Sequence, residues 1–314
     1  MLAEAPVPLL LTREQPAFIR RWGTTDLLHR IRAGVYAPAA EWRALTPWDR
    51  YLARVRAVER TSTDPVFCLE SAAALRRLPV FGEPRDIHLL DPDGRSWRDG
   101  DVVVHGSRDA KRIERVDGAR ATSLDDTVLD LCRVLPPAFA LAVADVGARG
   151  DGSHAALDLS ALGRAQENRR GLRQLDWVQS RRSADAESVG ESVSRAVIEW
   201  LGYEDPELQV EFAFEGMVDR VDFFWRLSGT IGESDGYGKY DADDVAATKA
   251  HFVREKIRED RLRRQAGGFA RWDWADVMRW RQLDAKLRNA GLAPVRARQA
   301  GLLATLATNP RSGR

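Results

Sequence analysis

The chain has 314 residues, of which 30% are charged and 44% hydrophobic, and its formal net charge is +1. Because single domains run to roughly 100–200 residues, we expect two or three domains with sizeable cores. The near-neutral charge excludes a wholly basic, histone-like protein, so any nucleic-acid-binding surface must be a local patch.

The two cysteines, Cys68 and Cys132, are too few for a zinc ribbon, a disulfide scaffold or an iron–sulfur cluster. The first residues are apolar but few, include Glu4 and lack a basic stretch, so we predict no signal peptide. No apolar run approaches the roughly 18 residues of a membrane span. These features predict a reduced, cytoplasmic protein with no membrane partner.

Residues 12–38 have the pattern of two short helices followed by a strand. Thr12 and Gln15 have the spacing of a capping box, and a second helix over TDLLHRIR stops at Gly34. This order predicts a winged helix-turn-helix over 1–45, whose second helix would read DNA. The module has five basic side chains as candidate DNA contacts. The first helix carries Arg20 and Arg21, and the end of the second carries His29, Arg30 and Arg32. The alternative is a small helical domain whose arginines are solvated.

The next region, 46–165, mixes helices and strands. A helix is predicted from Pro47 to about Arg60, and alternating apolar residues predict strands in DIHLLDP, DVVVHGS and RIERVDGARAT. The turn DPDG at 91–94 predicts a hairpin between the first two strands. Helices follow in SLDDTVLDLCRVL and AFALAVADVGARG, and polar sequence indicates a domain boundary within 150–185.

The last region predicts a domain over 180–290 and a tail over 291–314. A helix in ESVGESVSRAVIEWLG precedes three consecutive strands in PELQVEFAF, RVDFFWRL and GTIGESDG. A charged helix over roughly 244–266, a strand in FARWDW and a final helix complete a mixed sheet flanked by helices. The fold class is therefore α/β, or α+β for the whole chain. Three tryptophans have the periodicity of core residues: Trp200, Trp225 and Trp272.

The chemistry of this domain is expected to reside in a group of acids. Asp222 lies in RVDFFW, and Glu233 and Asp235 lie in ESDG. If the two segments are adjacent antiparallel strands, Asp222 and Glu233 lie side by side at one end of the sheet. Two carboxylates on rigid strands suit Mg²⁺ or Mn²⁺, which polarises a phosphoryl oxygen and lowers the pKa of bound water. The alternative is that Asp222 is a strand-edge acid and ESDG only a turn.

The order of these motifs resembles two known families. The region 185–285 resembles the very-short-patch-repair-like (Vsr-like) group of the PD-(D/E)XK nuclease superfamily, through ESVGES, RVDFFW, ESDG, EKIREDRLRR and FARWDWADV. The N-terminal half resembles AbiEi-like antitoxins, through RIRAGVYAP, LESAAALRRLPV, IHLL, VVVH and DGARATSLDDTVLDL. The resemblance implies a restriction-endonuclease-like fold in the C-terminal half.

The resemblance also implies roles for individual residues. Asp222 and Glu233 would ligate the divalent metal, and Asp235 occupies the position where most of the superfamily has lysine. Glu191 (or Glu187) would be a third acid from the first helix, although on a helical wheel Glu191 lies opposite the apolar stripe, where it would face solvent. Lys239 follows the turn where the subgroup has histidine, and would orient water or stabilise charge in the transition state; the alternative is a loop lysine.

One departure from the family pattern concerns the strand that carries Glu233. Gly232 precedes Glu233 where an apolar residue is usual, and a glycine weakens a strand. The rigidity of the site is therefore in question.

A basic helix follows the acidic motifs. Its candidate phosphate contacts include Lys256, Arg258 and Arg261. The alternative is a solvated amphipathic helix stabilised by pairs of opposite charge.

Two hypotheses follow for the whole chain. The first is a DNA-binding protein with a Mg²⁺-dependent (or Mn²⁺-dependent) endonuclease domain that hydrolyses phosphodiester bonds. The second is a non-catalytic repressor with a degenerate nuclease fold, which would resemble antitoxins that control a toxin operon. DNA is the expected partner in both, and a toxin or operon partner in the second.

Overall fold

The computed structural model describes residues 5–23, 25–149, 157–214, 216–235, 245–307, 309, 311 and 312, with only the backbone for 245–254. The protein has a mixed α/β structure, and its chain divides into two compact units. The first combines Met1–Leu135 with Gly150–Ser180 and Asn309–Arg314, and the second combines Pro136–Arg149 with Arg181–Thr308. The four predicted regions divide the chain more finely, and their boundaries stay predictions. Within the described ranges, no helix is long and apolar enough to cross a membrane.

The first unit begins with a three-stranded antiparallel sheet of order β1-β3-β2. The elements are β1 (Leu10–Leu11), α1 (Pro16–Trp22), β2 (Leu28–Arg32), β3 (Val35–Pro38) and α2 (Ala39–Ala44). The predicted helix over TDLLHRIR is therefore wrong, because its second half is strand β2. The described residues between α1 and β3 contain no helix, so the predicted helix-turn-helix is wrong as well.

The segment from β2 to β3 forms a hairpin for two local reasons. Val35 and Ala37 are fully buried and alternate with less buried neighbours, which is the period of a strand. Gly34 has a φ of 77°, in the left-handed region that glycine adopts without strain. This glycine therefore turns the chain between two strands, where the sequence had indicated the end of a helix.

The larger part of the first unit surrounds a six-stranded mixed sheet of order β6-β7-β5-β4-β9-β8. Its elements are α3 (Pro47–Thr61), β4 (Val66–Phe67), α4 (Leu69–Leu75), β5 (Ile87–Asp91), β6 (Trp97–Asp99), β7 (Val102–Gly106), β8 (Ile113–Val116), β9 (Ala119–Thr122) and α5 (Leu124–Val134). The helix predicted from Pro47 is confirmed. The hairpin predicted at DPDG is wrong, because β5 and β7 are parallel neighbours and β6 instead pairs antiparallel with β7.

A buried ion pair lies beside this sheet. Glu70 of α4 is only 3% exposed, and Arg311 donates to both of its carboxylate oxygens. The Nη2 of Arg311 also lies 3.1 Å from Nε2 of His88 on β5. The backbone around Arg311 is fixed as well, since Arg85 N donates to its carbonyl at 3.0 Å. Residues late in the chain thus contribute to the first unit.

Three further helices follow in the chain: α6 (Pro137–Ala148), α7 (Leu159–Ala165) and α8 (Leu172–Arg181). The remaining elements are α9 (Val189–Leu201), β10 (Glu207–Phe214), β11 (Met217–Trp225), β12 (Thr230–Ser234), α10 (Val245–Gln265), β13 (Gly268–Trp272), α11 (Trp274–Met278), α12 (Trp280–Asn289), α13 (Ala300–Ala304) and a 3-10 turn (Thr305–Ala307). The single final helix that the sequence predicted is two helices, because Arg279 departs from helical geometry with a ψ of 58°.

The second unit contains a four-stranded sheet of order β10-β11-β12-β13. The first three strands are antiparallel and β13 joins β12 in parallel, which confirms the predicted mixed sheet. Trp272 donates from Nε1 to Ser194 Oγ of α9 at 2.9 Å, while Ile231 packs in a cluster with Leu262 of α10. Because Gly232, which faces Trp272, and Ile231 are consecutive in β12, the two helices cover opposite faces of the sheet.

Gly232 has a packing role in this sheet. A Cβ at this position would lie 2.6 Å from Trp272 and 3.0 Å from Trp225, whose indole rings are buried. The glycine therefore makes room for two tryptophans in the core, and β12 is held between β11 and β13 along its length. The weakening of this strand by its glycine stays a prediction.

We expect Gly232→Ala to lower the free energy of unfolding by about 1–3 kcal/mol, because the added methyl group must displace two indole rings. Gly301→Ala is the matched control, since Gly301 lies in α13 with open space where the Cβ would go. Chemical denaturation of both variants measures the difference. Equal stabilities would show that the tryptophans shift without penalty.

Candidate active site

Five side chains of the second unit meet at one end of its sheet. They come from the first turn of α9, from each of the first three strands and from α10: Glu191, Gln209, Asp222, Glu233 and Arg258. We call this set the acidic cluster. The sequence had indicated Asp222 and Glu233 for a metal site, Glu191 as a third acid and Arg258 for DNA, whereas Gln209 was not anticipated.

Asp222 lies where strands β11 and β12 separate. The two strands are antiparallel neighbours, as predicted, with Phe223 opposite Gly232. The Oδ2 of Asp222 accepts a hydrogen bond from Ser234 N at 2.8 Å. This side-chain contact fixes the carboxylate beside the end of β12, next to Glu233.

Glu191 is buried inside the unit, so the alternative of a solvent-facing side chain is wrong. It is 4% exposed and occupies the third position of α9, where Ser188 Oγ accepts from its backbone N at 3.0 Å. Its Oε2 accepts from Glu187 N at 2.8 Å and from Gln209 Nε2 at 2.9 Å. Part of its role is therefore to cap the helix, because its carboxylate satisfies a backbone donor at the N-terminus.

Gln209 connects two of the acids. Its Nε2 donates to Glu191 and lies 3.5 Å from Asp222 Oδ1. The backbone of Gln209 has a φ of 53°, a left-handed conformation that is strained for a residue with a side chain. Strain of this kind persists where surrounding contacts require it and is concentrated at functional sites. Gln209 alternates with Glu207 and Glu211 in the strand, so nothing in the sequence singled it out.

Arg258 neutralises Glu233. Its two terminal nitrogens reach the two oxygens of Glu233 at 3.1 and 3.2 Å, and Glu233 is 7% exposed. The same guanidinium donates to the carbonyl of Arg220 at 2.7 Å and to Glu255 at 3.0 Å. Arg258 thus faces the sheet, and its charge is directed at the acidic cluster.

The electrostatics of the cluster disfavour negative charge. Burial raises the pKa of Asp222 to about 6, and the charge of Glu191 adds to the rise. Burial likewise raises the pKa of Glu233 to about 7, with a further contribution from Asp222. The hydrogen bonds from Ser234 N and Arg258 act in the opposite direction. Pairs of carboxylates with raised pKa values are characteristic of sites that bind cations or transfer protons.

The other predicted residues of this domain lie elsewhere or outside the described residues. Asp235 pairs with Arg271 at 2.6 Å. Lys239 is outside the described residues. Arg261 is buried and pairs with both oxygens of Asp219 at 2.5 and 2.7 Å. Lys256 is exposed, with Asp260 3.2 Å away. As DNA or catalytic contacts, these four residues stay predictions.

The candidate DNA contacts of the first unit are divided between two elements. Arg20 and Arg21 lie in the last turn of α1. His29, Arg30 and Arg32 lie on β2, where His29 stacks on Trp42 with ring centroids 4.5 Å apart. Burial and the charge of Arg50 lower the pKa of His29. Arg20 and Arg21 are thus on the first helix as predicted, whereas His29, Arg30 and Arg32 lie on a strand and not on a second helix.

The resemblance implies a divalent metal, and the arrangement of the cluster tests that expectation. The donor set is chemically suitable, because carboxylate oxygens are hard ligands. Arg258 nevertheless holds both oxygens of Glu233, and Gln209 directs its amide N–H groups toward the other two acids. Within the described part of the chain, no group of three His, Cys, Asp or Glu residues could hold a metal ion. In this arrangement the residues do not fit a bound divalent ion.

Comparison with known proteins gives two relatives. The chain is 31% identical over 198 residues to the uncharacterized protein Rv2248 of Mycobacterium tuberculosis strain H37Rv, and equally to the uncharacterized protein MT2308 of strain CDC 1551. The match covers 63% of this chain and 70% of each relative. No protein-family model and no solved structure matches the chain. The resemblance to nucleases and antitoxins therefore stays a prediction.

Proposed function

The chain belongs to the family of the mycobacterial proteins Rv2248 and MT2308, and we propose that it is a DNA-binding protein whose second unit is a divalent-metal-dependent endonuclease. The proposal rests on one observation, the meeting of Glu191, Asp222 and Glu233 at one end of a mixed sheet. Burying carboxylates together is unfavourable, so a purely structural role does not account for all three.

The neighbouring cations favour a phosphodiester substrate. The guanidinium group of Arg258 binds Glu233 with two parallel hydrogen bonds, and the same geometry suits a phosphate. Lys256 lies two residues before Arg258 and so points to a different side of the same helix, where Asp260 is 3.2 Å away. A polyanion approaching the acidic cluster would meet the guanidinium of Arg258 before the less exposed carboxylate of Glu233. Binding of this kind is independent of sequence and weakens steeply with salt.

A second candidate is a DNA-binding repressor without catalysis, as the antitoxin resemblance suggests. The observation in its favour is the Arg258–Glu233 pair, which leaves the cluster without three available carboxylates. In that case the acids would be a remnant of a nuclease site, and the partner would be an operator sequence or a toxin.

The test is a cleavage assay. The full chain would be incubated with plasmid, linear, mismatched and single-stranded DNA, with Mg²⁺ or Mn²⁺ and with a chelator. We expect cleavage with either metal and none with the chelator, and we expect Asp222→Asn to be inactive. Binding to one particular duplex that survives chelation, with no cleavage of any substrate, would support the repressor instead.

A further inference from the structure

Arg258 supplies the positive charge that lies against Glu233 in the acidic cluster. Its guanidinium is held by Glu233, by Glu255 and by the carbonyl of Arg220, so its position is fixed by partners on two elements. Both oxygens of Glu233 are engaged by its two terminal nitrogens. A divalent cation that required Glu233 would compete directly with this side chain.

The two members of the pair differ in accessibility. The side chain of Glu233 is 9% exposed, whereas that of Arg258 is 24% exposed. An incoming ligand therefore reaches the guanidinium before it reaches the carboxylate. Phosphate is the ligand class that fits, because its oxygens accept the same two parallel hydrogen bonds that the carboxylate now accepts.

We infer that Arg258 is a latch, a resident counter-ion that keeps divalent cations off the acidic cluster until a phosphodiester group of DNA takes its guanidinium. The inference rests on the proposed function for the identity of the phosphate donor. It accounts for two observations together: three acids meet at one end of the sheet, and the described residues do not offer three of them at once to a metal ion. It also assigns Arg258 a positioning role, since Arg258 acts through Glu233.

The test is calorimetric titration of Mn²⁺ into the protein without DNA. We expect weak binding by the wild type and binding at least about tenfold tighter by Arg258→Met, which frees Glu233. The matched control is Arg261→Met on the same helix, because it removes a buried arginine–carboxylate pair, that with Asp219, outside the cluster. Arg261→Met should bind Mn²⁺ as the wild type does. Equal affinities for all three proteins would overturn the latch.

A second substitution keeps the inference testable if Arg258→Met does not fold. Arg258→Lys retains a positive charge beside Glu233 but loses the two-pronged geometry, so we expect a smaller, severalfold gain in Mn²⁺ affinity. Adding Glu233→Gln to either variant should remove the gain in Mn²⁺ affinity, because the carboxylate that the Arg258 substitution frees is then absent. A gain that persists with Glu233→Gln would place the Mn²⁺ elsewhere and overturn the latch.

The latch and the nuclease fail in different ways. If Arg258→Met gains Mn²⁺ affinity but the wild type cleaves no DNA, the latch stands and the proposed activity is wrong. If the wild type cleaves DNA and Arg258→Met gains no affinity, the activity stands and the latch is wrong.

Discussion

Replacing Asp222 by asparagine is expected to abolish cleavage and, at the same time, to make the protein more stable at about pH 8. The loss of cleavage should be about a thousandfold, because the substitution removes a carboxylate oxygen that would ligate the divalent metal. The gain in stability follows from the surroundings of the side chain. Asp222 is buried and lies near the charge of Glu191, so its ionised form is disfavoured in the folded protein.

The pH dependence of this gain has a definite sign. Burial raises the pKa of Asp222 from 3.8 to about 6, so the folded state holds the proton more tightly than the unfolded state. The stability that this proton provides is complete below about pH 4 and is lost as the pH rises through about 6, a change of about 3 kcal/mol. Asparagine stays neutral throughout this pH range. The free energy of unfolding of Asp222→Asn should therefore exceed that of the wild type by about 2 kcal/mol at pH 8 and match it near pH 4.

Urea unfolding of both proteins at the two pH values measures this difference. Asp205→Asn is the matched control, because Asp205 makes an exposed pair with Arg296 in the same unit and should change stability by less than about 1 kcal/mol. A variant that is less stable than the wild type at pH 8 would mean that Asp222 is a structural acid. Increased stability together with lost activity is the pattern of a residue retained for function.

The site was predictable to the extent that local periodicity determines it. Alternating apolar residues identified β10, β11 and β12, and their short connections implied antiparallel neighbours, so Asp222 and Glu233 could be expected side by side. The apolar stripe of α9 likewise predicted its helix. These elements are decided by residues close in sequence, which a pattern of period two or 3.6 can detect.

The rest of the site and of the fold depends on contacts between residues that are distant in sequence. Arg258 looked like a surface arginine on a charged helix, and only the packing of α10 on the sheet turns it toward Glu233. Gln209 carries no signal until β10 and α9 place it between two acids. Gly232 looked like a defect because the two tryptophans that need its space lie 7 and 40 residues away. The hairpin of β2 and β3 was missed because its residues also fit a helical stripe.

Replacing Arg311 by alanine is expected to destabilise the first unit by about 3 kcal/mol at about pH 8, because it leaves a buried carboxylate without its cation. Glu70 is 3% exposed, and solvent cannot take the place of the lost guanidinium. Arg85→Ala is the matched control, since Arg85 donates to the neighbouring Ser312 carbonyl at an exposed position. It should lower the free energy of unfolding by less than about 1 kcal/mol.

The destabilisation by Arg311→Ala should shrink as the pH falls, because His88 can then replace the missing charge. Burial holds the pKa of His88 at about 4, and the charge of Arg311 helps to lower it while Glu70 acts to raise it. Without Arg311, one of the influences that lower the pKa of His88 is gone while Glu70 still raises it, so the pKa of His88 rises and a protonated His88 can pair with Glu70 at a higher pH than in the wild type. A histidine titration followed by NMR measures that rise directly. An unchanged His88 pKa, with stability equal to that of Arg85→Ala, would show that the segment around Arg311 does not dock on the sheet in solution.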